Sequence, residues 1–475
     1  MSAAPNSHDG TPLNAKPLRA LGTLWALWAQ RLLRALVALL LAAGVWVFWG
    51  ADAWHERGGE PASAATGAST TQTVEHGAYL ARIGNCALCH TAQGGAAYAG
   101  GRAVATPFGA VVSTNITPDR AQGIGQWSAN DFWRALHHGK SRDGRRLSPA
   151  FPYTSYTRLS RADADALFDY LQTVAPSSRA NTASPLAWPF NTQAALAVWR
   201  ALYFWPHTKV EAAAPGPDGA SPSLGASGVS AAYAASLARG AYVVQGLGHC
   251  TECHGARSAL GGLVRGKDLA GAVLPGVSWY APSLQSVNQA GATSVADTVA
   301  LLQTGTSGQR WVNGPMAEVV LHGTQYLSDA DAQAIGLYLQ SLVQPAAPKA
   351  PQALPKQRPP AVGADPRAAQ LYADQCADCH GKEGQGQPGA YPALAGNRAV
   401  LMVPPNNAVL SVLHGGFAPA TAGNPRPFGM PPFLLQLSDA DVAAVLTHVR
   451  SAWGNQAAPV SALQVQQIRR PQAGP

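Results

Sequence analysis

Cysteine is scarce in this chain of 475 residues, and outside three short motifs it is absent. All six cysteines lie in NCALCH (85–90), HCTECH (249–254) and QCADCH (375–380), which leaves none for a structural disulfide. Methionine is scarcer still: Met1, Met316, Met402 and Met430 are the whole set, and residues 2–315 contain none. Charged residues make up only 12%, and the net charge of +8 is scattered without interleaved aromatics, which argues against a nucleic-acid surface. No flavin, quinone-cofactor or molybdenum site is visible, so the chain is not expected to turn over an organic substrate alone. With domains of ~100–200 residues, the length allows about three.

In each motif the second cysteine is followed directly by a histidine: His90, His254 and His380. C-x-x-C-H is the attachment signature of c-type haem. The pairs Cys86/Cys89, Cys250/Cys253 and Cys376/Cys379 can each add across the two vinyl groups of one porphyrin, and the next residue brings imidazole beneath the iron. Two other chemistries use the same atoms. Structural zinc wants four ligands, which isolated motifs far apart in the chain supply poorly. A thioredoxin-like redox pair has no need of a histidine in the same place three times. Three covalently bound haem c groups account for every residue of the pattern.

The N-terminus has a different character. Lys16, Arg19, Arg31 and Arg34 precede ALVALLLAAGVWVFWGA (35–51), a run without charge. Leu32 and Leu33 extend it toward the ~20 apolar residues that cross a bilayer, with Arg34 free to snorkel, and Trp46, Trp49 and Trp54 sit where an interfacial belt would be. The expectation is a basic cytoplasmic terminus (1–31) and an anchor at 32–51 in the bacterial inner membrane, with the haem domains on the periplasmic side. A cleaved signal peptide, with ADA at 51–53 as the processing site, is the alternative.

The rest of the chain repeats itself. EHGAYLARIGNCALCH, ARGAYVVQGLGHCTECH and RAAQLYADQCADCH each lead a helix-like stretch into a motif. LSRADADALFDYLQTV, LSDADAQAIGLYLQSL and LSDADVAAVLTHVRSA each close a module. In these, Ser160, Ser328 and Ser438 stand three residues before Asp163, Asp331 and Asp441, the spacing of a helix N-cap. Apolar residues then recur at helical spacing, as in Leu167, Tyr170, Leu171 and Ile335, Tyr338, Leu339. The expected fold is mainly α: three tandem class I cytochrome c domains behind one transmembrane helix. The domains span 74–175 (with an extension at 176–205), 231–343 and 366–454, followed by a tail at 455–475. Residues 206–230 read as a flexible linker and 344–365 as a stiffer, proline-rich one. The apolar stretch 186–204 is broken by Pro189, Asn191 and Arg200, and reads as an extension packed on the first module.

Several long passages carry a resemblance: GAYLARIGNCALCHTAQGG, TPFGAVVSTNITPDRAQGIGQWSANDFWRALHHG, NGPMAEVVLHGTQYLSDADAQAIGLYLQSL and GMPPFLLQLSDADVAAVL. Over about residues 74–454 the chain resembles the membrane-bound three-haem cytochrome c subunits of bacterial periplasmic dehydrogenases. Relatives serve alcohol, aldehyde, gluconate, sorbitol and fructose dehydrogenases. The resemblance implies electron transfer from a catalytic subunit of flavin, quinone-cofactor or molybdenum type to ubiquinone or another membrane acceptor. It also places Met316 and Met430 at the distal ligand positions of the second and third haems. Met402 reads as core.

The first module breaks this pattern. Phe151, in SPAFPYTSY, stands where relatives carry methionine, and no methionine lies in the module. The first iron is then either five-coordinate or bound by a histidine, with His137 and His138 of FWRALHHGK as candidates. The third module also has a histidine before glycine (SVLHGG) beside Met430, which favours a packing role. An open first haem would permit a rival function, peroxidase-like haem enzymology. Asn115 and Asp119 of TNITPD are expected to tie down a loop at the haem edge. Pro392, twelve residues after His380, is expected to offer its carbonyl to the imidazole N–H and so fix the ring.

Overall fold

The computed structural model describes residues 16–55, 70–206, 231–285, 294–308, 310–342 and 366–470. The expected linkers lie outside the described residues, apart from Pro206. The chain divides into two units, residues 1–57 and 58–475.

In the first unit, helix α1 runs over Lys16–Val45 and continues through a π turn at Trp46–Gly50 into a short helix at Ala51–His55. Its stretch Trp28–Phe48, 21 residues with mean hydropathy 2.0, is long and apolar enough to cross a membrane. Leu32, Leu33, Leu36, Leu39, Leu40 and Leu41 are all exposed, as befits a helix apolar on every side. The helix begins well before the expected anchor at 32–51. Pro17 is tolerated in its first turn, and the Leu-, Ala- and Arg-rich residues after it are good helix formers.

The second unit is mainly helical, and its frame is three helix pairs, one per repeat. Helix α2 (Thr71–Ile83) leads into the motif helix α3 (Cys86–His90), and α4 (Ala129–His138) precedes α5 (Arg161–Leu171). After α6 (Gln193–Tyr203), the order repeats as α7 (Ala231–Tyr242), α8 (Thr251–His254), α9 (Val295–Thr304), α10 (Pro315–His322) and α11 (Asp329–Ser341). The third set is α12 (Pro366–Gln375), α13 (Ala377–His380), α14 (Asn406–His414) and α15 (Asp439–Ser451), with α16 (Ala462–Arg469) at the end. In each set the leading helix packs on the capped closing helix: α2 on α5, α7 on α11, α12 on α15. Among the described residues, the strands form only two-stranded antiparallel pairs, the longest joining Ala103–Thr106 to Gly109–Val112, besides a few isolated bridges.

The Gly-Ala-Tyr repeat exists for this packing. A Cβ on Gly77 would stand 1.9 Å from the Ala166 carbonyl oxygen, and one on Gly240 would stand 2.1 Å from that of Ala334. Backbone meets backbone at both crossings, so only glycine fits. Gly77→Ala or Gly240→Ala is expected to cost about 1–3 kcal/mol through overpacking, despite alanine's better helix propensity. A lowered denaturant midpoint of the holoprotein would show it. An unchanged midpoint would mean the helices can slide apart without penalty.

The first two repeats are not separate bodies. One apolar core joins Leu80, Trp133 and Leu167 of the first to Val244, Leu247 and Ile335 of the second. The stretches expected as two domains, 74–175 and 231–343, therefore share one core. The third repeat has its own cores, around Val409, Leu413, Leu446 and Val465 and around Tyr372, Val400, Val445 and Val449. It meets the second through polar contacts: Asn407 brackets the backbone of Tyr280 at 2.8 Å on both sides, and Thr421 Oγ1 donates to the Thr304 carbonyl.

Two regions exceed their sequence reading. The expected tail at 455–475 includes α16, which starts with a Ser461–Gln464 capping box and buries Val465 completely. Arg469 ties it back to Asp439 and to the carbonyls of Leu434 and Leu437. Helix α6, from the 186–204 stretch, packs on the first repeat as expected but also reaches the second. Trp199 Nε1 donates to the Leu260 carbonyl, and the Ser258 hydroxyl donates to Tyr203.

Candidate cofactor sites

Each C-x-x-C-H stretch forms one short helical turn, which brings its two cysteines and its histidine together. Two of the turns start from unusual backbone. Asn85 and His249, the residues before the first cysteine, both have positive φ (53° and 39°). All six cysteines are unpaired.

The three histidines share one arrangement. Nδ1 lies 2.7 Å from the Thr114 carbonyl oxygen in His90, 2.7 Å from that of Pro282 in His254, and 2.9 Å from that of Pro392 in His380. A carbonyl can only accept, so the proton sits on Nδ1. Burial lowers the pKa of all three rings, against the hydrogen bond to each carbonyl. Each is therefore a neutral imidazole whose Nε2 lone pair is available to a metal.

The sequence identified Pro392 as an acceptor but not Thr114 or Pro282. A shared pattern marks the second and third sites, with A-P-S-L at 281–284 and Y-P-A-L at 391–394. In the first repeat the aligned stretch is S-T-N-I (113–116), where Thr114 takes the proline's place and Asn115 follows it. Asn115 Nδ2 donates to the carbonyls of Ser177 and Arg179, its backbone N–H donates to Asn181, and its Oδ1 accepts from Thr117. Asp119 Oδ1 accepts from the N–H groups of Ala121 and Gln122. Both residues hold the loop that presents the Thr114 carbonyl, a structural role.

A covalently held haem fits these donors better than the alternatives do. Among the described residues no group of three or more Cys, His, Asp and Glu side chains is placed to hold a metal ion, so a tetrahedral zinc set is missing. A redox dithiol needs a lowered thiol pKa. Here burial pushes Cys86 and Cys250 up to about 12, and Cys253 and Cys376 up to about 11. What remains in each motif is a pair of unpaired cysteines beside an imidazole poised to ligate through Nε2.

Met316 lies in the first turn of α10, and Met430 in the short pair joining Gly416–Phe417 to Gly429–Met430; both are half-buried. Met402 caps a short helix, and its carbonyl accepts from Arg450. Phe151 is half-buried on the shared core, its ring 5.4 Å from that of Tyr156. The two candidate histidines part company. His138 aligns with the exposed His414 of the third repeat, whereas His137 aligns with Leu413, a residue wholly inside the core. Accordingly the His137 ring is buried and stacked on Trp133, with centroids 3.4 Å apart. Burial, then the neighbouring His138, lowers its pKa to about 3 against a hydrogen bond to the Leu159 backbone. The His138 carbonyl accepts from Arg200 at 2.6 Å.

The first and second sites are joined reciprocally. Tyr79 of the first repeat donates to Asp331 of the second at 2.6 Å, and Tyr242 of the second donates to Asp163 of the first. Each tyrosine also accepts from the N-cap backbone of the other repeat, Ser328 N–H to Tyr79 and Ser160 N–H to Tyr242. The phenol thus enters the capping box, between the serine N–H and the aspartate. His76 and Arg239, aligned residues, complete the arrangement by pairing with Asp163 and Asp331 at 2.8 Å. In the third repeat the box closes on itself, Ser438 N–H to Asp441, and Tyr372 donates instead to the Gly381 carbonyl. The exchange extends to the motifs: α10, which carries Met316, packs on α3, while Thr154 and Ser155, just after Phe151, donate to Glu252 inside the second motif.

Residues 74–175 and 366–453 match the sequence model of the cytochrome c family. Over 411 residues the chain is 36% identical to the gluconate 2-dehydrogenase cytochrome c subunit of Pantoea cypripedii, covering 84% of this chain and 89% of that protein. It is 36% identical to the cytochrome c subunit of the quinone alcohol dehydrogenase of Gluconobacter oxydans (strain 621H), covering 83% and 82%. To the fructose dehydrogenase cytochrome subunit of Gluconobacter japonicus it is 32% identical, covering 84% and 82%.

Proposed function

This chain belongs to the family of cytochrome c subunits of dehydrogenase complexes, and from that premise we propose that it carries electrons through three covalently bound haem c groups. They pass from a periplasmic catalytic subunit to ubiquinone or another membrane acceptor. A bound haem c supplies a one-electron iron couple whose potential follows its axial ligands. The chain does the rest: Cys86/Cys89, Cys250/Cys253 and Cys376/Cys379 hold the groups, and His90, His254 and His380 ligate from the proximal side. Met316 and Met430 are the distal ligands of the second and third. Three tandem cytochrome c domains, anchored by α1 and lying on the periplasmic side of the inner membrane, complete the reading.

The observation that carries the proposal is the same carbonyl-fixed histidine in all three motifs. The second motif has the full donor set although it lies outside the two stretches matched by the family model. The reciprocal contacts support a short route between the first two sites. The Asn407 bracket on Tyr280, two residues from the Pro282 acceptor of His254, supports a link from the second to the third.

The count is tested by the haem-to-protein ratio, expected to be three. Cys376→Ala or Cys379→Ala is expected to remove stable attachment of the third haem alone, because that repeat has its own cores. A ratio of two in the unaltered protein overturns the count. The role is tested by purifying the tagged chain from membranes. The expected result is a dehydrogenase subunit that reduces the haems when its substrate is added and is reoxidised by a ubiquinone analogue. Isolation without a dehydrogenase, or haems that such a subunit cannot reduce, overturns the role.

A further inference from the structure

Helix α6 carries a single charged residue, Arg200, and that residue is turned inward. Its side chain is fully buried, donates to the His138 carbonyl and lies over the Phe204 ring at 4.5 Å. A second face is occupied by Trp199 and Tyr203, which hydrogen-bond to the 258–260 loop. The remaining face presents Ala194, Val198 and Leu202, spaced i, i+4, i+8 and all exposed. Trp188 before the helix and Trp205 just after it are 81% and 51% exposed. A water-facing stripe on a surface helix normally carries charge. This one is wholly apolar, with tryptophan at both ends.

Positive charge flanks the stripe. At the N-terminal end, Gln193 hydrogen-bonds both the N–H and the carbonyl of Arg146, at 2.8 and 3.1 Å. That holds the loop KSRDGRR (140–146) beside the helix, with four basic side chains against one carboxylate. At the other end Arg265 lies over the Trp205 ring at 4.3 Å. We propose that the outer face of α6, together with this basic loop, docks on an anionic lipid surface, with Trp188 and Trp205 at headgroup depth. A narrow apolar stripe without hydrogen-bonding groups, bordered by cations, suits a bilayer better than a protein partner, whose contact would pair polar groups at the rim. The inference rests on the reading of the chain as membrane-bound.

The test uses the full-length holoprotein in vesicles of phosphatidylcholine with phosphatidylglycerol. The vesicles contain a phospholipid bearing a photoactivatable group in its upper acyl chain, and labelled peptides are mapped by mass spectrometry. Residues 188–205 are expected to be labelled several-fold above the segment around Leu435, which is 97% exposed. The excess should fall several-fold in the Val198→Glu, Leu202→Glu double variant and in vesicles of phosphatidylcholine alone. If the protein floats with the vesicles but the two segments label equally, docking by α6 is overturned while anchoring stands. If it does not float at all, both are overturned. Labelling indifferent to phosphatidylglycerol overturns the anionic requirement.

Discussion

Replacing Phe151 by methionine is expected to raise the potential of one haem of the three and to leave the other two unchanged. Phe151 stands where the resemblance expects a distal methionine in the first repeat, beside Tyr156, which is buried near Cys86 and Cys89. A phenyl ring cannot donate a lone pair to iron, whereas a thioether can and raises the potential of a histidine-ligated haem. The exchange nearly conserves volume and is expected to cost less than about 1.5 kcal/mol, so the variant should fold. In the unaltered protein, one haem of three should lack the absorption feature of histidine–methionine ligation near the red end of the spectrum, and Phe151→Met should restore it.

The structure sharpens the choice between the two histidines. His137 fills a core position that the third repeat gives to Leu413, so His137→Leu is expected to leave all three haem spectra unchanged. If the first site is open, it should take up carbon monoxide when reduced. If His138 binds, it should not, and its potential should be the lowest of the three. Three histidine–methionine haems in the unaltered protein would mean that a distant methionine reaches this site and that Phe151 does not set its ligation.

Asp331→Leu should be the most destabilising of the single changes considered. It strands the Arg239 guanidinium, now paired through two 2.8 Å hydrogen bonds, and removes the acceptor of the Tyr79 hydroxyl. Breaking a largely buried pair by deleting one partner costs about 3–5 kcal/mol. Asp441→Leu, at the aligned position of the third repeat, breaks a helix cap and a pair with the exposed Arg367, and is expected to cost about 1 kcal/mol. In denaturant followed at the haem bands, Asp331→Leu should shift the first and second sites together and spare the third. Equal midpoint shifts for the two variants would show that the exchanged tyrosines add nothing.

The pH dependence follows from the same carboxylates. Burial raises the pKa of Asp331, but its hydrogen bond to Arg239, that residue's charge and the Tyr79 hydroxyl outweigh it, and the net pKa is lowered. For Asp163 burial likewise raises it, and His76 and Tyr242 bring it down. A lowered native pKa stabilises the fold above the unfolded value of ~3.9, and the gain is lost as pH falls through the native value. Acidification below about pH 4 should therefore loosen the junction of the first two repeats, as a joint change in two haem environments.

What was legible from residue order alone was what depends on near neighbours. The C-x-x-C-H pattern spans five positions, so its three occurrences could be seen directly, and the serine N-caps of α5, α11 and α15 follow from a three-residue spacing. Absence was equally legible: with no methionine from 2 to 315, Phe151 stood out. Tertiary structure decided what depends on partners far along the chain. Tyr79 meets Asp331 across 252 positions, and the aspartates of two repeats serve the other repeat's tyrosine although all three share one signature. The carbonyls facing His90 and His254 come from 24 and 28 residues downstream, on loops whose course is set by Asn115 and by the Tyr280 bracket. Residues 462–469 have little apolar pattern to announce a core helix, and only the groove beside α14 and α15 gives Val465 a place to bury. The 186–204 stretch is largely apolar, so which face of α6 meets protein and which is left outside was settled by the inward turn of Arg200.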